Sequence, residues 1–73
     1  MVFTFEFVRT EQSGKRRHIE TALHRLRSAR EAKLLAAAIL KYTTFLGMAA
    51  DVVLIKDHGG ALLFEVAAHA RRP

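Results

Sequence analysis

No cysteine occurs among the 73 residues, which excludes a disulfide framework, a thiolate metal site and a cysteine nucleophile. Proline occurs once and glycine four times, so no Pro/Gly-rich linker divides the chain, and no internal repeat is visible. Long apolar runs are also missing. The most apolar stretch, 34–55, is broken by Lys41, Thr43, Thr44, Gly47 and Asp51, and its longest charge-free run is 42–50, too short to span a bilayer. Residues 1–9 have neither the basic start nor the apolar core of a secretory signal. What is present, 51% hydrophobic and 26% charged residues, describes one soluble domain over 1–73, and the lack of cysteine suits a reducing cytoplasm.

Hydrophobic periodicity divides the chain into elements. Phe3, Phe5 and Phe7 alternate with Thr4 and Glu6, the period-2 pattern of a half-buried strand over 2–9. A polar turn at 10–14 follows. Ile19, Ala22, Leu23, Leu26 and Ala29 then fall on one stripe at helical spacing, which predicts a helix over about 15–27. Continuing that phase would bring Arg30 and Lys33 into the core. Ser28-Ala29-Arg30-Glu31 has the Ser-x-x-Glu form of a capping box, so a second helix is read from 29 to 46, ending near Gly47. One long helix kinked near Ser28 is the alternative.

Residues 51–56 are β-branched and apolar on both faces, as in a strand covered twice. Asp57-His58-Gly59-Gly60 is a turn, and 61–69 alternates as a last strand. The expected fold class is α+β, of order β-α(α)-β-β. A small three-stranded sheet is covered on one face by the helical segment, with a parallel crossover between its first two strands. A chain this short buries only roughly 60–65% of its unfolded surface, and the apolar residues of 34–40 exceed what one face needs. A homodimer is therefore expected.

Charge is the most uneven feature. Seven cations, Lys15, Arg16, Arg17, Arg25, Arg27, Arg30 and Lys33, lie in 15–33 with two acids, while the remaining chain is neutral. The whole net charge of +5 is thus concentrated in one segment. Such a concentration suits phosphate backbones, and the expected function is a small non-catalytic binding protein that associates with DNA or RNA through the Arg-rich helix 15–33. The alternative is a protein-interaction module, adaptor or inhibitor, that uses the apolar helix 34–46 or a sheet edge. Arg16 with Glu20 and Arg27 with Glu31 would then be ordinary i,i+4 pairs on a solvated helix face. A second candidate is anion binding by the 13–17 loop at a helix start.

Catalysis, a cofactor and a metal are not expected. His18 and His24 diverge on one helix, Glu20 with His24 supplies only two ligands, and Asp57-His58 sits in a turn where the carboxylate bonds the backbone.

Overall fold

The computed structural model describes residues 1–42 and 49–68. Their order is β1 (Val2–Thr10), β2 (Arg16–Arg25), α1 (Ala29–Tyr42), β3 (Val52–Lys56) and β4 (Leu62–Ala67). The class is α+β. The four strands form one sheet in the order β2-β1-β3-β4, with every neighbouring pair antiparallel.

This differs from the expected three-stranded sheet in one decisive place. Residues 16–25 are a strand, neither the separate helix read over 15–27 nor the first half of a kinked one. The helical spacing has a physical cause. Phe7 pairs with Glu20 but Val8 pairs with His18, so a bulge at Ile19 shifts the strand by one residue. Ile19 and Ala22 both pack on the core although their numbers differ in parity. An odd-even slip inside a period-2 pattern mimics a period near 3.6. The additional strand also reverses the chain before the helix. The connection from β1 to β3 therefore gives an antiparallel pair, where a parallel crossover was expected.

Two hairpins close with the same loop geometry. Glu11 N–H donates to Lys15 O (2.7 Å) and Gly14 N–H to Glu11 O (2.9 Å). Likewise Asp57 N–H donates to Ala61 O and Gly60 N–H to Asp57 O, both at 3.0 Å. In each loop the third residue is a glycine at φ +90°, the left-handed position that a three-residue hairpin loop requires.

The helix begins where the capping residues stand. Glu31 N–H donates to Ser28 Oγ (3.2 Å), and Glu31 Oε1 reaches back to accept Arg27 N–H (3.1 Å). The C-terminal part of the expected helix, 43–46, and the stop at Gly47 lie outside the described residues, as does His69. Ala32 and Ala36 are fully buried, and these methyl-sized side chains let the helix lie close on the sheet. Beneath them are Phe3, Phe5 and Phe7 of β1 with Val53 and Ile55 of β3. Leu34 and Tyr42 remain exposed on the outer side of α1.

Candidate functional site

The register defines the sheet face that α1 does not cover. Its rows read Leu23-Thr4-Lys56-Leu62, then Thr21-Glu6-Leu54-Glu65, then His18-Val8-Val52-Ala67. Arg25 beside Val2 lies at one end, and Arg16 beside Thr10 at the other. Val8 and Val52 are only 5% exposed although they lie on the face opposite α1. The Arg16 guanidinium grips the Glu65 carboxylate with both terminal nitrogens, at 3.0 and 2.6 Å, tying β2 to β4 across the two inner strands.

In a flat sheet, three strand spacings of about 4.8 Å would part β2 from β4 by about 14 Å. Strand twist in general brings diagonal corners of a sheet closer over one face, and bulges such as those at Phe7/Val8 and Ile55/Lys56 increase it. The two-pronged hydrogen bond from Arg16, aided by its positive charge, holds the Glu65 carboxyl below the usual glutamate range. Hydrogen bonding and attraction from Glu65 correspondingly raise the Arg16 guanidinium. Mid-face, Lys56 Nζ donates to Glu6 Oε2 at 3.0 Å. Toward the Arg25 end the face stays open, with Leu23 68% and Leu62 55% exposed.

The seven cations of 15–33 do not share a helix and do not converge. Lys15, Arg16 and Arg17 lie at the β1–β2 hairpin, Arg25 ends β2, Arg27 lies in the connection, and Arg30 and Lys33 stand on the first turns of α1. Ten residues of extended chain put about 30 Å between the Arg16 and Arg25 ends of β2. At the hairpin, Arg16 is paired with Glu65 and Arg17 Nε lies 4.0 Å from Glu11. The 13–17 segment is a hairpin return, so the helix dipole on which the anion site at that loop relied is absent from it.

The other end is different. Arg25, Arg27, Arg30 and Lys33 are all exposed, and none forms an ion pair among the described residues. Lys33 Nζ lies 5.3 Å from the Phe64 ring centre, a cation–π contact that leaves its charge unneutralised. Glu31, the acid among these four, is engaged by backbone N–H at the helix cap. The i,i+4 ion pairs expected of a helix, Arg16 with Glu20 and Arg27 with Glu31, are therefore replaced by Arg16 with Glu65 and by the cap.

Several other polar groups have structural partners. Asp57 Oδ1 accepts N–H bonds from Gly59 and Ala61, both at 2.9 Å, which fixes the second hairpin loop. The His24 ring packs on Phe5 with 4.6 Å between centres, and His18 Nε2 bonds Thr21 Oγ1 at 2.6 Å. Asp51, just before β3, bonds β1 twice and the residue after β4 once: its carboxylate accepts Thr10 N–H, its N–H donates to Val8 O, and its carbonyl accepts Ala68 N–H. Among the described residues no three His, Asp or Glu side chains group as metal ligands, and no helix is long and apolar enough to cross a membrane. Sequence reasoning missed the Arg16–Glu65 clasp, whose partners stand 49 residues apart and leave no local signal. Comparison with protein-family models, with curated proteins and with solved structures finds no match for this chain.

Proposed function

We propose that this chain is a small non-catalytic binding protein that engages nucleic-acid phosphates through the basic end formed by Arg25, Arg27, Arg30 and Lys33. One observation carries the proposal: these four exposed cations, within nine residues of sequence, have no ion-pair partner among the described residues. Unneutralised cations are free to displace the counterions condensed on a phosphate backbone, and that displacement drives non-specific association. Lys15 contributes at most a separate contact at the far end of β2, and Arg16 is held by Glu65. No aromatic residue is interleaved with the arginines in 15–33, so stacking on single-stranded bases adds nothing there. Contacts of this kind set affinity without reading sequence.

The test is fluorescence anisotropy with mixed-sequence duplex DNA and single-stranded RNA. Four phosphate contacts imply a log–log salt slope of about −3.6, hence roughly a hundredfold loss of affinity between about 50 and 200 mM salt. Arg25→Ala, Arg27→Ala and Arg30→Ala should each reduce that slope by about one unit, and Arg16→Ala should leave it unchanged. Absence of binding at about 50 mM salt would overturn the proposal.

A protein-interaction reading is favoured by a separate observation. Leu23 and Leu62 end the same row of the helix-free face, and both are more than half exposed. Retention of a protein partner that is lost with Leu23→Lys, together with no anisotropy change on nucleic acid, would select this reading.

A further inference from the structure

We infer that β4 is a self-association edge, on which a second copy of this chain pairs its own β4 antiparallel about a two-fold axis through Phe64. Independent of the polyanion proposal, the inference rests on the contrast between the two outer strands. Both β2 and β4 end the sheet, so each presents one side of its backbone without a strand partner among the described residues. β2 is guarded. Arg16, Arg17 and Arg25 stand on it against one acid, Glu20, and like charge repels a second copy of the same strand. β4, Leu-Leu-Phe-Glu-Val-Ala, has no lysine, arginine or proline to block pairing. Its one charge, Glu65, is drawn over the helix-free face by Arg16, away from the free edge. Exposed Leu62 and Leu63 open the strand.

The register follows from the charges. The longest overlap puts the two-fold axis of an antiparallel pair at one of the two central residues of β4, Phe64 or Glu65. Centring on Glu65 sets two carboxylates directly opposite, which is unfavourable, whereas centring on Phe64 sets two aromatic rings opposite and keeps each Glu65 with its own arginine. Phe64 is partly buried against the core, and pairing would cover part of its remaining exposed surface. One six-residue strand per copy is a small interface, at the low end of specific contacts. The dimer is accordingly concentration-dependent.

Sedimentation equilibrium across about 5–500 µM, without nucleic acid, reads the association directly. The expected result is a mass rising from the 8.2 kDa chain toward twice that value and levelling there. The natural absence of cysteine makes Phe64→Cys a clean register probe. Directly opposed strand residues have Cα atoms about 4.5–5.5 Å apart, within disulfide reach, so oxidation should yield a covalent dimer. Should that variant fold poorly, Leu62→Lys, at an exposed position, should be folded by circular dichroism and monomeric throughout. A monomer mass across the whole range overturns the inference. So does a dimer unaffected by Leu62→Lys but lost with Leu34→Lys, which would place the contact on the outer side of α1. Masses that climb past two copies would indicate head-to-tail β2–β4 pairing and overturn it as well.

Discussion

Replacing Phe5 tests both the core and the facing of β2. Its side chain is fully buried, opposite Ala22 on one side and Ile55 on the other, with ring centres 6.3 Å from Phe7 and 4.6 Å from His24. Truncating such a phenylalanine to alanine costs about 3–5 kcal/mol, the transfer term plus a cavity its strand neighbours cannot fill. A chain of this length has a total stability of about 4–11 kcal/mol, so Phe5→Ala removes from roughly a quarter to all of it. Phe5→Leu, which keeps most of the volume, should cost about 1–2 kcal/mol and lower Tm by roughly 4–16 °C. The matched control is Leu23→Ala. Leu23 lies one residue from Ala22 but on the open face, 68% exposed, and its truncation should cost no more than about 0.5 kcal/mol. Urea unfolding followed by far-UV circular dichroism, at a dilution that keeps the chain monomeric, reads all three midpoints. Leu23→Ala costing as much as Phe5→Ala would mean that β2 faces the other way, and the bulge at Ile19 would have to be abandoned.

Two further perturbations address the cap and the clasp. Ser28→Ala removes the hydroxyl that accepts Glu31 N–H and should cost about 1 kcal/mol, lowering Tm by roughly 4–8 °C in a scanning calorimeter, while Ser28→Gly should cost only a few tenths of a kcal/mol. Glu65→Gln should lower the urea midpoint at pH 7. Because the folded carboxyl is held below its unfolded value of about 4.3, its contribution is present above that pH and is lost as pH falls through the folded value. The gap between wild type and Glu65→Gln should therefore close in acid, and a gap unchanged at about pH 2 would refute an ionic clasp.

Much of this arrangement is written in short-range pattern. Phe3, Phe5 and Phe7 announce a strand because nothing interrupts their alternation, and Ser28 with Glu31 marks the helix start because a cap is a four-residue device. Asp57 to Gly60 reads as a turn for the same reason. β2 was illegible because its bulge is a property of the pair, visible only when Phe7 and Val8 are laid against Glu20 and His18. That one misreading carried the others with it. As a helix, 15–27 would gather its arginines around one short cylinder; as a strand it spreads them along an extended edge, and Arg16 becomes the partner of an acid in β4.

The pairing of β1 with β3 gives the molecule its cooperativity. Each half of the sheet is a hairpin closed by a three-residue loop, and an isolated two-stranded hairpin is marginally stable at best in water. Neither hairpin holds a core alone: Phe5 and Phe7 arrive with the first, Val53 and Ile55 with the second. Their backbones pair along one seam, from Thr4 beside Lys56 to Val8 beside Val52. Parting that seam strips both halves of their apolar partners at once, so a state with one hairpin native and the other melted has nothing to sustain it. Opening at the seam and global unfolding are then one event, and the amides along β1 and β3 should exchange with solvent at a single common free energy.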